Sequence, residues 1–315
     1  MDQVVPQMSY AVLFPGQGSQ FVGMGADVFA DRPDLLGSTA DATLGWSLQD
    51  LCASGPEEDL TRTDRAQPAL YATAYALWEA FRAAVGFDPV AGAGHSLGEY
   101  TALAAAGAFD FSTGLRLVAA RGAAMDGAAQ LEDSGMVALI GVDEAAAEAV
   151  AATRRDAGGR LWVANLNAPG QIVVAGGAED IEWVVANGRD FGVRRAVPLK
   201  VAGAFHSPYM ATAADRLAAA LTATDFGRPR FPVYANATGA PITDVAANLG
   251  EQLVSPVRFA AGLEAIAAAG VDTFVHVGPG NVTAGMVKRT LPVATVHVVS
   301  ELDDIPTVAE ALHVQ

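Results

Sequence analysis

A serine with a glycine two residues to either side is the strongest chemical signal in the chain. Gly94-His95-Ser96-Leu97-Gly98 reads G-x-S-x-G, a spacing that sets a serine on a sharp strand-to-helix turn with its hydroxyl projecting outward. The apolar run Val90-Ala91-Gly92-Ala93 before it predicts the end of a buried strand, and the Ala/Leu-rich run from Thr101 to Ala106 predicts a buried helix. The glycines relieve the crowding of such a turn. A helix start also offers free N–H groups and the positive end of the dipole, both favourable to an anionic oxygen. Ser96 is therefore read as a nucleophile, against the plain alternative of a structural turn in a glycine-rich chain.

A serine hydroxyl is a weak nucleophile and needs a general base within hydrogen-bond reach. Five histidines compete for that role. His95 adjoins Ser96, but consecutive side chains diverge, so it is expected to brace the turn. His276 and His297 fall inside apolar strands and read as satisfied core residues, and His313 lies in the C-terminal tail. His206 sits in the loop Gly203-Ala204-Phe205-His206-Ser207-Pro208, and loops on a rigid scaffold carry functional groups out of proportion to their length. His206 is the candidate base.

The elements that must position these groups alternate. Tyr10 to Phe14 is a short apolar strand running into Pro15-Gly16-Gln17-Gly18-Ser19-Gln20, which lacks the lysine and spacing of a phosphate-binding loop. Gln67-Pro68 is expected to open a helix over Ala69 to Val85, with proline in its first turn. Asp110 to Met125 reads as a further helix. From Met136 to Leu199 the order becomes β-α-β-β-α-β, a ferredoxin-like signature. This predicts a small inserted subdomain, residues 134–200. Residues 1–133 and 201–315 then form a large α/β-hydrolase-like domain with a mainly parallel sheet.

Composition bounds the function. With 315 residues, 51% apolar and 17% charged, the chain can bury a sizeable core. No apolar run approaches the roughly 20 residues of a membrane span, and Met1 to Tyr10 shows no basic region followed by an apolar core. Cys52 is the only cysteine, which excludes an internal disulfide and a thiolate zinc cluster. A cytoplasmic location is the simplest expectation. The net charge of −16 argues against a nucleic-acid partner. Local basic clusters remain at Arg194-Arg195 with Lys200, at Arg228 and Arg230, and at Lys288-Arg289.

Phe14 to Gln20, Gln67-Pro68-Ala69-Leu70, the GHSLGEY elbow, Arg121-Gly122, Asn167 to Gln171, Gly203 to Ser207, Ser255-Pro256-Val257 and Val277 to Gly280 occur in that order. Together they resemble the malonyl-CoA:acyl carrier protein transacylase family, which includes the acyltransferase domains of polyketide synthases. The match spans nearly the whole chain. With no ketosynthase or carrier domain attached, it resembles the stand-alone members acting in trans, in fatty-acid or polyketide synthesis.

The resemblance implies a ping-pong acyl transfer with no metal and no cofactor of its own, the phosphopantetheine being carried by the partner. Ser96 would take malonyl from coenzyme A with His206 as base, then pass it to the thiol of an acyl carrier protein. Backbone N–H groups of Gln17 and Leu97 would hold the oxyanion. A backbone carbonyl, here that of Ser255, would orient His206 in place of a carboxylate. Arg121 would take the free malonyl carboxylate in a bidentate fork that lysine copies poorly. Its small neighbours Ala119, Ala120, Gly122 and Ala123 suit a buried helix, although a helix-surface arginine is the commoner case. Gln67 and Asn167 would be secondary polar contacts in the cleft, and Phe205 and Leu97 resemble residues of malonyl-selective members. Asp126 stands where relatives often carry glutamine. Two rivals are an acyl-thioester hydrolase of the same fold, against which Arg121 argues, and a non-catalytic carrier-protein scaffold.

Overall fold

Tyr10–Phe14 (β1) lies at the centre of a five-stranded sheet, buried on both faces. In the computed structural model, which describes residues 8–313, β1 is flanked by Ala91–Gly94 (β2) and Thr273–Val277 (β8). The edges are Val233–Tyr234 (β7) and Thr295–Val299 (β9), giving the order β7-β2-β1-β8-β9 with every neighbouring pair parallel. Parallel strands covered on both sides read as unbroken apolar runs. Within β1 the two-residue period still sorts the side chains. Tyr10, Val12 and Phe14 enter one core, and Ala11 and Leu13 enter the other.

The first core is built against helices Thr63–Val85 (α1), Gly98–Ala105 (α2) and Phe111–Ala129 (α3). The helix α1 begins six residues before the expected start at Ala69, so Pro68 lies inside it. Proline there removes one N–H from the ladder and fits only near a helix start. Asp110 caps α3 by accepting from the Thr113 N–H at 2.7 Å.

A second, antiparallel sheet holds Ser134–Ile140 (β3), Leu161–Ala168 (β4), Gln171–Gly177 (β5) and Arg195–Pro198 (β6), in the order β4-β5-β3-β6. Glu144–Asp156 (α4) and Ala178–Asn187 (α5) cover its outer face, burying Val137, Leu139, Val163 and Val174. The alternate residues Met136, Ala164, Val173 and Ala175 join the core of the parallel sheet. The fold is thus a mainly parallel α/β layer structure with a ferredoxin-like sheet packed onto it.

The segment Val245–Gln252 (α6) is helical, capped by Asp244, which accepts from the Ala247 N–H at 3.0 Å. It precedes the helices Phe259–Ala268 (α7) and Val282–Thr290 (α8), which cover the second face of the parallel sheet with Leu263, Ile266, Met286 and Val287. Among the described residues no helix is long and apolar enough to cross a membrane. Met1–Gln7, on which most of the N-terminal leader expectation rests, lies outside the described residues.

Candidate active site

Phe14 pairs with Gly94, so the loop after β1 and the turn after β2 meet at the carboxyl edge of the parallel sheet, where α/β folds bind ligands. Ser96 has φ 52, the left-handed region that costs a non-glycine residue about 1–3 kcal/mol unless its surroundings hold it. The turn is held on both sides. Asn236 accepts from the Ser96 N–H through Oδ1 at 2.6 Å and donates from Nδ2 to the Gly94 carbonyl at 2.7 Å. The two elbow glycines are packed backbone to backbone. A Cβ on Gly94 would lie 1.9 Å from the carbonyl carbon and oxygen of Gly98, and one on Gly98 would lie 2.3 Å from the Phe14 carbonyl oxygen. Gly94→Ala is accordingly expected to destabilise the protein by about 3 kcal/mol or more, because backbone cannot step aside as a side chain does. A denaturant midpoint unchanged from the parent would contradict this packing.

His206, also at a positive φ of 57, is 4% exposed and places Nε2 2.7 Å from Ser96 Oγ. Its Nδ1 lies 3.0 Å from the backbone carbonyl of Gln252. A carbonyl can only accept, so Nδ1 carries the proton and Nε2 presents its lone pair to the serine hydroxyl. This is the tautomer a general base needs. The carbonyl at hydrogen-bonding distance is that of Gln252, and the expected Ser255 carbonyl adds only a smaller pull in favour of the protonated ring. The reason is that Gln252 ends α6, where helix carbonyls lack partners of their own. Burial, reinforced by the Arg121 charge, pushes the His206 pKa down to about 3, so the base stays neutral at working pH.

Arg121 is 1% exposed, and every acceptor around its guanidinium is neutral. Nη1 donates to Gln67 Oε1 at 2.7 Å, and Nη2 donates to Gln252 Oε1 at 2.9 Å and to Ser96 Oγ at 3.0 Å. Its Nε has no partner, and the Tyr100 ring lies 5.4 Å from the guanidinium carbon. Burial lowers its pKa, opposed chiefly by Tyr100 and Glu99. Among the described residues no carboxylate comes within salt-bridge distance of it. A desolvated, unpaired cation is expensive to keep. Its position 3.0 Å from the serine oxygen makes it a receptor for an anion bound beside that serine.

The remaining expected residues divide. Gln67 is fully buried and holds Arg121, its Nε2 donating to Met125 Sδ at 3.3 Å, so it supports the arginine from behind. Asn167 accepts from His95 Nε2 at 2.7 Å, which commits its carbonyl oxygen to bracing the elbow. His95 packs edge-on against Phe259 at 5.4 Å. Phe205 is 5% exposed beside the base. The backbone N–H groups of Gln17 and Leu97 donate to no acceptor among the described residues, and the Gln17 side chain is anchored on Thr63 Oγ1 at 3.2 Å. Asp126 bonds to Gln130 at 2.9 Å, with burial and Asp64 raising its carboxyl pKa. His276 is buried between Thr283 and the Gly278 carbonyl, whereas His297 is half-buried and not part of the core. His313 ends a helix and packs on Phe87.

Two participants were missed from sequence. Gln252 bonds to Arg121 and to the Ser96 carbonyl through its side chain and to His206 through its own carbonyl. Asn236 clamps the serine turn. The Asp244 N-cap was the one available signal for the helix carrying Gln252. Nothing local marks Asn236, which sits 140 residues from its partner.

Known proteins resemble this chain over most of its length. A family model described as acyl transferase domain matches residues 12–307. A malonyl CoA-acyl carrier protein transacylase of Bacillus subtilis is 42% identical over 284 residues, 89% of each chain. Its namesake from Salmonella typhimurium is 40% identical over 93% of this chain and 96% of its own. Among solved structures, the malonyl CoA-acyl carrier protein transacylase of Coxiella burnetii superposes with a TM-score of 0.94 at 33% identity, covering 99% of this chain and 100% of its own. A malonyl-transacylase solved in complex with its type II PKS acyl-carrier protein superposes with a TM-score of 0.91 at 35% identity, covering 96% and 99%.

Proposed function

The chain belongs to the acyl transferase domain family, and from that premise we propose that it is a malonyl-CoA:acyl carrier protein S-malonyltransferase. Two relatives matched over most of their length are malonyl CoA-acyl carrier protein transacylases. The observation that carries the malonyl assignment is Arg121: a buried guanidinium held only by neutral acceptors, 3.0 Å from Ser96 Oγ. A thioester whose acyl group ends in a carboxylate supplies the direct ionic partner the guanidinium lacks.

In the first half-reaction, His206 Nε2 takes the Ser96 proton as Oγ forms a bond to the thioester carbonyl. The oxyanion sits on the N–H groups of Gln17 and Leu97, donors with no other acceptor. Collapse breaks the carbon–sulfur bond, and the coenzyme A thiolate takes the proton back from His206. In the second half-reaction His206 deprotonates the phosphopantetheine thiol of the carrier, whose sulfur attacks the malonyl-serine; the ester carbon–oxygen bond breaks and His206 returns the proton to Ser96 Oγ. The Gln252 carbonyl holds the proton on Nδ1, so that Nε2 is the nitrogen that takes and returns the proton in both half-reactions. Phe205 narrows the space beside the base and disfavours a branch at the α-carbon, a selectivity of about 1–3 kcal/mol per methyl. Asn167 acts indirectly, through His95.

In this proposal residues 134–200 form one wall of the cleft and the rest of the chain the other. A cytoplasmic setting goes with it, supported by a single cysteine, Cys52, whose thiol burial pushes up to about 12. Incubation of the enzyme with malonyl-CoA and a phosphopantetheinylated carrier should load malonyl onto the carrier, whereas release of free malonate alone would contradict the proposal.

The carrier is acidic, as the family resemblance implies, and so is this chain, which makes local basic residues the natural guides. Arg194, Arg195 and Lys200 around β6 and Lys288 and Arg289 at the end of α8 are exposed, and none forms an ion pair among the described residues. Reversing Lys288 and Arg289 to glutamate is expected to slow transfer to the carrier about tenfold more than acylation by malonyl-CoA. Equal slowing of both half-reactions in stopped-flow, or none, would put docking on another surface.

A further inference from the structure

Glu99 is fully buried three residues beyond Ser96, on the first turn of α2, and takes no part in the chemistry above. An ionised carboxylate removed from water costs several kcal/mol unless donors satisfy both its oxygens. Here they are satisfied by specific partners. The Asn236 backbone N–H donates to Oε2 at 2.5 Å, and the Asn248 side-chain amide donates to Oε1 at 2.5 Å. Neither group can accept a proton in return, so the ionised form is the one that fits.

What these two partners do next is the point of interest. Asn236 is the residue whose side chain clamps the left-handed serine turn, through the Ser96 N–H and the Gly94 carbonyl. Asn248 lies one helical turn before Gln252 on α6. The same Gln252 orients His206 through its carbonyl and reaches the Ser96 carbonyl through Nε2 at 3.0 Å. One carboxylate therefore connects the strained nucleophile turn to the helix that aims the base.

We propose that Glu99 is a positioning residue whose carboxylate, by holding Asn236 against the Ser96 turn and α6 against His206, fixes the two halves of the dyad relative to each other. The proposal rests on the reading of Ser96 and His206 as nucleophile and base. The cost of the arrangement points the same way. Burial raises the Glu99 pKa from 4.5 to about 7, against the pull of the Asn236, Asn248 and Gln252 hydrogen bonds and of the Arg121 charge. A carboxyl raised in the fold stabilises most below its ordinary value, and that contribution is lost as pH rises through about 7. Above that range the fold maintains a charge that stability alone disfavours.

The test compares Glu99→Gln and Asn248→Ala with the parent in single-turnover acylation by malonyl-CoA, followed by intact mass, together with a thermal midpoint at pH 8. Glu99→Gln is expected to lower the maximal acylation rate about 10- to 100-fold, as displacement of reacting groups by a fraction of an ångström to an ångström does. The half-saturating malonyl-CoA concentration should stay within about twofold, because the groups that bind the thioester are untouched. The midpoint should stay within a few degrees, since loss of the buried charge offsets the amide donor now facing Asn236 or Asn248. Asn248→Ala, which removes one of the two ties, should show a smaller loss of the same kind, and it decides the matter should the glutamine variant fail to fold. A parental maximal rate in either folded variant overturns the proposal, as does a parallel fall of rate, affinity and midpoint. A parent protein that acquires no acyl group on Ser96 would overturn instead the dyad reading beneath it.

Discussion

Ser96→Ala should remain folded and acquire no acyl group from malonyl-CoA, with transfer to a carrier reduced by at least about 10⁴-fold. The serine oxygen is the one atom that both His206 Nε2, at 2.7 Å, and Arg121 Nη2, at 3.0 Å, address. Removing it deletes the nucleophile and leaves the clamp on the turn intact, because Asn236 holds the backbone of residue 96 and not its side chain. Circular dichroism and a thermal midpoint near the parent's would accompany the loss. An acylated Ser96→Ala protein would show that the acyl group is carried elsewhere and would remove the basis for a covalent mechanism at this turn.

Arg121→Ala should lower malonyl transfer far more than acetyl transfer, by about 2–4 kcal/mol, or roughly 30- to 1,000-fold in the ratio of kcat/KM values. Only malonyl presents a carboxylate to replace the neutral acceptors Gln67 and Gln252 as partner to the guanidinium. The absolute rate with acetyl-CoA should fall as well. Arg121 also donates to Ser96 Oγ, and its loss strands two buried amide oxygens. The ratio is therefore the diagnostic quantity. Equal losses for both acyl groups would assign Arg121 to holding Ser96 and Gln252 in place and would leave the carboxylate without a receptor.

The elbow and the base were legible because their signals are local. A glycine-flanked serine between an apolar run and an alanine-rich one specifies strand, turn and helix within a dozen residues, and the structure has β2, Ser96 at φ 52 and α2 there. The two-sheet architecture was legible for a similar reason, since each strand of the antiparallel sheet alternates and is bounded by turn residues. What was not legible was partnership across the chain. Gln67 and Asn167 carry the right chemistry at the right place, yet each spends it on another protein side chain, Arg121 and His95, 54 and 72 residues away. The orienting carbonyl moved from Ser255 to Gln252 because α6, a helix of eight residues containing Gly250, gave too short a periodic pattern to register. Pro68 misled in the opposite direction. A proline normally marks the first turn, but α1 runs on past it towards Thr63, where Gly122 of α3 packs against the Thr63 carbonyl and Asp64.

The most direct test of the account is the intact mass of the parent protein, first with malonyl-CoA alone and then after a phosphopantetheinylated carrier is added. The arrangement of Ser96, His206 and Arg121 predicts one malonyl adduct located on Ser96, stable on the timescale of turnover, that disappears from the enzyme as the same mass appears on the carrier. An enzyme that releases malonate to water while the carrier stays unloaded, or that never carries the adduct, would contradict it.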